Sequence, residues 1–235
     1  MAFDAQSNLW IANGAGVNEF NSFGAELSPA SGFTNSGISG IAAVGIDSAN
    51  NVWIGDTLLF SELTNPGGEL IVNSLEGGAS AMVFPQLAAD GSGDIWGALS
   101  PESDAVCKIP PYGGLGTTVI PTCYEGGLPL DAFGYTPIGA FPQGIALDGA
   151  GSLWIASQGG AVTARDTQGN YEGAGDSLPI PDVGNVGTLR VAVDGSGNVW
   201  VLLANNTVIE HIGAATPVVM PIALGVKNNK LAAKP

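Results

Sequence analysis

Residues 192–201 read AVDGSGNVWV, and four close variants of this decapeptide occur earlier in the chain. The variants are AFDAQSNLWI (2–11), GIDSANNVWI (45–54), AADGSGDIWG (88–97) and ALDGAGSLWI (146–155). Each copy has an Asp six residues before a Trp, and the pairs are Asp4 and Trp10, Asp47 and Trp53, Asp90 and Trp96, Asp148 and Trp154, and Asp194 and Trp200. Because these are all five Trp of the 235-residue chain, the spacing indicates an internal repeat.

The repeat length and the turn residues predict β-hairpins in a repeat architecture. Successive Asp residues lie 43, 43, 58 and 46 positions apart, close to the roughly 40 to 50 residues of a propeller repeat. Within a copy, short apolar runs flank a turn of Gly, Ser and Asn, which is typical of a hairpin. The Asp at the turn entrance is expected to accept hydrogen bonds from the following backbone N–H groups, so we predict a structural role for it.

A second hairpin is predicted after each of the first four. Each has an apolar residue seven positions before a Gly: Val17 and Gly24, Phe60 and Gly67, Val106 and Gly113, and Val162 and Gly169. Four strands per repeat are therefore expected, with repeats near 1–36, 37–79, 80–142, 143–187 and 188–222 and a tail at 223–235. The fifth copy begins similarly with TVIEHIG (207–213) and then departs, which is typical of a terminal capping repeat.

The first strand of each repeat is apolar on both faces, as in IAAVGID (41–47). Such a strand is covered on both sides, as blades are around a propeller axis. We therefore predict an all-β chain with one domain over 1–222, a β-propeller of about five four-stranded blades, in which each Trp fills the gap between neighbouring blades. The alternative is a fragment, or an irregularly closed relative, of a six- or seven-bladed ring.

The charge balance excludes several partner classes. The chain has 21 acidic and 6 basic residues and a formal charge of -15. Because the bases are few and scattered, binding to nucleic acid or to an anionic membrane is not expected, and no apolar run is long enough to insert into a membrane. The start, MAFDAQSNLW, lacks the basic and apolar regions of a signal peptide. We expect a monomer.

The two cysteines flank IPPYGGLGTTVIPT (109–122), the predicted second hairpin of the third repeat. A disulfide between Cys107 and Cys123 across the two strands is predicted, and it would fit an extracytoplasmic or secreted setting. Two separate thiols are the alternative. A zinc site is not expected, because the chain has two Cys and one His.

Candidate ligand-binding residues lie in the longest link between repeats, YEGGLPLDAFGYTPIGAFPQG (124–144), and in two loops predicted on the same face. They are Tyr124, Asp131, Tyr135 and Phe141 of the link, with Asp56 and Asp104. Long loops in compact domains are often functional, so we expect a glycan, peptide or protein ligand at the channel mouth. Alternatively, the aromatic residues cover that mouth.

No cofactor is expected apart from a divalent cation, calcium or magnesium, which converging carboxylates could hold through oxygen ligands. Solvated surface charge is the alternative interpretation of these acidic residues. The stretch DGSGD (90–94) is similar to the start of a calcium loop, but the distal Glu and the central Gly of that motif are missing.

The repeated pattern of apolar residues, Asp, a Gly or Asn turn and Trp, followed by V-x-E-(Phe/Leu) and a Gly turn, resembles NHL-type and virginiamycin B lyase-like propeller repeats. The resemblance covers about residues 1–222 and implies a repeat protein of the kind secreted by bacteria. Such repeats serve many functions. The resemblance implies two kinds of active site to look for. One is that of the lyases, a histidine with a glutamate and magnesium. The other is that of gluconolactonase-type relatives, a metal held in a carboxylate and amide cage.

The single histidine bears on catalysis. His211 lies in VIEHIG (208–213), where other repeats have Phe20, Leu63 and Ile109, so an outer-strand position is predicted for it. We therefore expect no catalytic residues and a non-enzymatic binding or scaffolding propeller of a secreted or cell-surface bacterial protein. The alternatives are a metal-dependent propeller lyase or lactonase, disfavoured by the single His, and a fragment without independent activity.

Overall fold

The computed structural model describes residues 1–34, 40–55, 60–63, 70–73, 85–99, 105–110, 122–125, 142–158, 160–166, 177–178, 180 and 186–217. These residues form eighteen strands in five antiparallel sheets. No helix among them has the length and hydropathy needed to cross a membrane. The predicted all-β propeller with about five sheets is confirmed.

The strands follow the chain order within each sheet, from the first strand outward. The first sheet holds β1 (Ala2–Phe3), β2 (Leu9–Ala12) and β3 (Val17–Phe20); the second, β4 (Ala43–Ile46), β5 (Val52–Gly55), β6 (Phe60–Leu63) and β7 (Leu70–Asn73); the third, β8 (Leu87–Ala89), β9 (Ile95–Leu99), β10 (Ala105–Ile109) and β11 (Thr122–Glu125). The fourth sheet holds β12 (Pro142–Leu147), β13 (Leu153–Ser157), β14 (Ala161–Arg165) and β15 (Ser177–Leu178); the fifth, β16 (Thr188–Val193), β17 (Val199–Leu203) and β18 (Val208–His211).

The turn between the first two strands has the same backbone form in all five sheets. The fourth residue of each turn has a positive φ of between 65° and 87°, and its N–H donates to the carbonyl oxygen of the Asp; these residues are Ser7, Asn50, Gly93, Gly151 and Gly197. Because Gly and Asn adopt this left-handed conformation readily, the turn residues of the repeat favour the hairpin directly. The hairpins predicted from the decapeptide are present.

The first strands lie side by side around a common centre. Strand β4 contacts β8, β8 contacts β12, and β12 contacts β16. The Gln86 side chain, just before β8, donates from Nε2 to the carbonyl oxygen of Val191 and accepts from the N–H of Ile145, both at 3.3 Å. One side chain therefore joins the third, fourth and fifth sheets. This contact fits sheets that circle an axis and does not fit sheets in a linear stack.

The core consists of separate clusters, each between two consecutive sheets. In each cluster the Trp of one sheet packs on apolar side chains of the next: Trp10 on Val44, Trp53 on Leu87, Trp96 on Ile145, and Trp154 on Val191. These four Trp are at most 5% exposed. Four Trp of the repeat therefore lie buried between consecutive sheets. Burial of such a ring contributes about 3 to 5 kcal/mol relative to Ala.

The disulfide predicted from the sequence is present. Cys107 on β10 and Cys123 on β11 are paired directly across the two strands and are bonded to each other. Cys107 is buried between the second and third sheets. The covalent bond thus fixes the outermost strand of the third sheet to its core.

The end of the fifth repeat leaves the hairpin pattern. After β18, the N–H of Ala215 donates to the carbonyl oxygen of Gly197, and the N–H of Thr216 donates to Oδ2 of Asp148 at 3.0 Å. Ala215 is buried with the Trp154 cluster. This segment therefore runs across the turns of the fourth and fifth sheets.

Candidate functional site

The Asp and Trp of each repeat are joined by a side-chain hydrogen bond. The indole Nε1 donates to the second carboxylate oxygen of the Asp in all five repeats, at 3.0 Å for Trp10, 2.8 Å for Trp53, 3.0 Å for Trp96, 3.3 Å for Trp154 and 3.0 Å for Trp200. The first carboxylate oxygen accepts backbone N–H groups of the turn, as from Ser92 and Asp94 to Asp90. Each Asp therefore joins the turn to the indole, and the bond to the indole explains the six-residue spacing.

The residue on the third strand opposite each Trp determines the local charge. Glu19, Glu62, Lys108, Ala164 and Glu210 occupy this position. Lys108 donates to Asp94 at 2.6 Å and lies 5.4 Å from the centroid of the Trp96 ring, and the bond to Asp94 raises the pKa of the Lys108 ammonium. In the third sheet, therefore, a lysine neutralises part of the charge of the turn.

Glu62 has no such neutralising partner. It is 4% exposed, and its Oε2 has no hydrogen-bond partner. Burial, followed by the nearby Asp47 carboxylate, raises the pKa of Glu62 to about 7. Near neutral pH this side chain is consequently a mixture of the acid and the carboxylate.

The Trp of the fifth sheet differs from the other four in its surroundings. Trp200 is 38% exposed, although its bond to Asp194 is retained and lowers the pKa of Asp194 to about 2. The opposite face of the fifth sheet, with Val191 and Val201, is buried against Trp154. In each of the first four repeats the Trp-bearing face is covered by the following sheet. In the fifth sheet this same face is open.

The first sheet shows the matching open side. Its Trp10 is buried against the second sheet. Ala2 is paired with Trp10, so its neighbour Phe3 points to the other face of β1. Phe3 is 68% exposed. In a closed ring this second face of the first sheet would cover Trp200. Among the described residues the two faces are not packed into a common cluster.

A cavity of about 460 Å³ borders the open face of the fifth sheet. We call it the seam cavity; it is lined by residues 42–44, 85–87 and 190–192 with Met1, Trp200, Leu202 and Val208. Its walls are the first strands of the second and third sheets and the open face of the fifth. Its volume falls within the range of about 300 to 1,000 Å³ that is typical of small-molecule sites.

The strand register places four wall residues on one face of the fifth sheet. Ala192 is paired with Trp200, and Arg190 is paired with Leu202. Because residues two positions apart share a face, Arg190, Ala192, Trp200 and Leu202 point to the same side. The seam cavity therefore has an indole, a guanidinium and an aliphatic side chain on a single wall.

Arg190 is the cation of this wall. Its Nη1 donates to the carbonyl oxygens of Gln143 at 3.0 Å and Leu189 at 2.7 Å. Burial lowers the pKa of the guanidinium, and Arg190 forms no ion pair with a carboxylate of the residues that the structure describes. Arg190 thus presents a positive charge without a carboxylate partner among the described residues.

A column of the repeat could have indicated this wall. The position four residues before the Asp holds Ala43, Gln86, Gly144 and Arg190 in the last four repeats. Three of these residues line the seam cavity. At the fourth, a Cβ on Gly144 would lie 2.7 Å from the Cα of Arg190, so glycine permits the close approach of β12 and β16. The sequence-based prediction placed the ligand at the loops and did not include this column.

Most of the ligand-binding residues predicted from the sequence lie outside the described residues: Asp56, Asp104, Asp131, Tyr135 and Phe141. Their role stays a prediction. Tyr124 lies on β11, where its ring stacks on Trp96 with 5.9 Å between centroids. One face of this ring is therefore occupied by the core.

His211 is at the position that the repeat alignment predicts. It is paired with Val199 on β18, as Leu63 is with Val52 and Ile109 with Ile95. Burial lowers the pKa of this imidazole. It therefore lies on the third strand of its sheet and not on a first strand near the axis.

Within the described ranges, no group of three or more His, Cys, Asp or Glu side chains could hold a metal ion. The three acidic residues of the predicted ligand-binding set, Asp56, Asp104 and Asp131, fall outside those ranges. The divalent cation stays a prediction, as do the lyase and lactonase alternatives.

Comparison with known proteins identifies the fold. No family model matches the chain, and no curated protein matches it in sequence. Its structure is similar to virginiamycin B lyase from Staphylococcus aureus, with a TM-score of 0.64 and 15% identity over 94% of this chain and 69% of the lyase chain. It is also similar to PorZ, a bacterial surface component of the type IX secretion system of Porphyromonas gingivalis (TM-score 0.63, 16% identity, 92% of this chain and 32% of PorZ).

A third similar structure is the β-propeller domain of Swd1 from Myceliophteria thermophila, with a TM-score of 0.57 and 8% identity over 87% of this chain and 68% of that one. At such identities the likeness shows the fold alone. The NHL-type assignment stays a prediction, and the chain has the β-propeller fold.

Proposed function

We propose that this chain is a non-enzymatic binding propeller of an extracytoplasmic protein and that its ligand occupies the seam cavity. The observation that carries the proposal is the open side of the fifth sheet. Four Trp of the repeat are buried by a following sheet, whereas Trp200 borders a cavity of about 460 Å³. Concave sites with apolar walls and a few polar groups are typical of small-molecule binding.

The disulfide supports the extracytoplasmic setting. Such bonds persist in oxidising compartments and are rare in the cytosol, and Cys107 and Cys123 are bonded here. The similarity to PorZ, a bacterial surface component, also supports this setting, because it indicates that this fold is used outside the cytoplasm.

The proposal differs in location from the sequence-based prediction of a ligand at the channel mouth. Five of the six residues of that prediction lie outside the described residues, whereas the seam cavity is lined mainly by strand residues. Sites on strands hold their side chains more rigidly than sites on loops. A ligand that enters here would contact side chains that are already oriented by the sheets.

A cavity-filling variant tests the proposal. Ala192 is exposed, lines the seam cavity and is paired with Trp200, so Ala192→Trp should fill the cavity without entering the core. Ala204→Trp is the matched control, because Ala204 is an exposed residue of the turn after β17. A library of small molecules is screened by ligand-observed NMR against the unmodified protein and both variants.

We expect compounds that bind the unmodified protein and the Ala204→Trp variant and that lose binding to the Ala192→Trp variant. Bound compounds should also raise the melting temperature by mass action. The proposal is wrong if no compound binds, or if the compounds that bind do so equally well when the cavity is filled.

A further inference from the structure

The seam cavity carries a charge that is unusual for this protein. The chain has 21 acidic residues and 6 basic ones, yet the charged side chain that lines the cavity is Arg190. A guanidinium has five N–H donors. In the described structure Arg190 uses one nitrogen, Nη1, and both of its acceptors are backbone carbonyl oxygens.

The two carbonyl bonds hold the guanidinium at the cavity wall without neutralising it. Gln143 and Leu189 supply neutral acceptors, so the positive charge remains. Glu210 shares the Trp200 face of the fifth sheet, but it lies on β18, two strands away from Arg190, and forms no ion pair with it. A guanidinium with free N–H groups at a cavity wall is well suited to a carboxylate, because the planar fork matches the two oxygens.

Two other polar groups of the cavity lining are already engaged. The amide of Gln86 bonds to the backbone of Val191 and Ile145 through both of its ends. The indole N–H of Trp200 is likewise bonded to Asp194. What these residues leave to a ligand is mainly apolar surface, and Val44, Leu87 and Leu202 add to it.

A ligand that fits this wall therefore needs one anionic group and an apolar body. We propose that the seam cavity binds a small organic carboxylate, whose carboxylate is held by Arg190 and whose apolar ring or chain lies against Trp200. This inference rests on the proposed function, because it names the ligand class of the same cavity. Inorganic anions lack the apolar body, and neutral apolar compounds lack the partner for Arg190.

The experiment compares three probes by isothermal titration with the full chain: 3-phenylpropionate, the uncharged 3-phenyl-1-propanol of the same shape, and inorganic phosphate. The propionate should bind, and the alcohol and phosphate should each bind roughly tenfold or more weakly, which is the effect expected for loss of a charge-assisted hydrogen bond or of the apolar contact. Added salt should weaken binding of the propionate and leave binding of the alcohol unchanged.

Three variants separate the contributions. Arg190→Gln should reduce propionate binding roughly tenfold and leave binding of the alcohol unchanged, and Arg190→Lys should retain part of the affinity because its charge is kept. Lys108→Gln is the matched control, since it removes a positive charge that is engaged by Asp94 outside the cavity. It should bind the propionate normally.

The outcomes distinguish this inference from the proposed function. Equal binding of the propionate and the alcohol, or normal propionate binding by Arg190→Gln, overturns the carboxylate assignment while the cavity remains a binding site. Phosphate that binds as tightly as the propionate overturns the apolar contact. If none of the probes binds but other compounds of the NMR screen do, the ligand class is wrong; if the screen is also empty, the proposed function fails with it.

Discussion

The indole Nε1 of Trp53 donates a 2.8 Å hydrogen bond to Oδ2 of Asp47, and both side chains are buried. The same Asp accepts the backbone N–H of Asn51 at 2.8 Å through Oδ1. One carboxylate therefore closes the hairpin turn and orients the ring that packs on the next sheet. The repeat joins local turn formation to packing between sheets through this single residue.

Asp47→Ala should therefore destabilise the fold severely. It removes acceptors from the buried indole N–H of Trp53 and from the turn, and unsatisfied buried donors make the expected loss about 2 to 4 kcal/mol in the free energy of unfolding. Urea denaturation followed by circular dichroism measures this loss. Asp194→Ala is the matched control, because its partner Trp200 is partly exposed and water can replace the acceptor. Equal losses in the two variants would contradict the claim that the buried Asp47–Trp53 bond stabilises the fold more than the partly exposed Asp194–Trp200 bond.

Stability should fall as the pH rises toward neutrality because of Glu62. Its folded-state pKa is raised from 4.5 to about 7, so the folded protein binds the proton more tightly than the unfolded chain. Its contribution is fully present below pH 4.5 and is lost as the pH rises through about 7. The loss is about 2 kcal/mol after allowance for solvent screening.

Glu62→Gln tests this pH dependence. The variant should be more stable than the unmodified protein at pH 8, and the difference should shrink toward pH 4.5. Glu210→Gln is the control, since Glu210 has the same register position but is exposed. Urea midpoints measured across this range would speak against the assignment if Glu62→Gln changed stability by the same amount at every pH.

The five hairpins could be predicted from the sequence because the signal for each is local. An Asp, a residue that adopts positive φ and a Trp lie within seven positions, and short-range hydrogen bonds connect them. The disulfide followed from the same alignment, since Cys107 and Cys123 fall on neighbouring strands. The fold class therefore needed no information about contacts between distant residues.

The seam cavity could not be predicted in the same way. Trp200 has the same local pattern as Trp10, and the two differ only in what lies beyond the sheet. Whether the fifth sheet is covered depends on contacts between the two ends of the chain, which no short stretch specifies. Arg190 lies in an apolar run that has the pattern of an ordinary first strand. Only its position in the repeat places it at the cavity wall.

Loss of the disulfide should weaken the third sheet. Cys107 and Cys123 are separated by 16 positions, and a cross-link over a loop of this length contributes about 3 kcal/mol to the free energy of unfolding. The double variant Cys107→Ala, Cys123→Ala should therefore melt at a lower temperature than the unmodified protein. Calorimetry with and without a reductant provides the comparison. The reductant should lower the melting temperature of the unmodified protein and leave that of the double variant unchanged. A reductant effect of similar size on both proteins would count against the bond.

Trp200 should be the tryptophan that a solute in water can reach. The other four indoles are at most 5% exposed, whereas Trp200 is 38% exposed at the seam cavity. Acrylamide should therefore quench one component of the tryptophan fluorescence, and Trp200→Phe should remove that component while the remaining emission stays protected. Trp154→Phe is the control and should leave the quenchable component in place. If the emission of the Trp200→Phe variant were quenched as strongly as that of the unmodified protein, the open side of the fifth sheet, and with it the binding site proposed there, would be wrong.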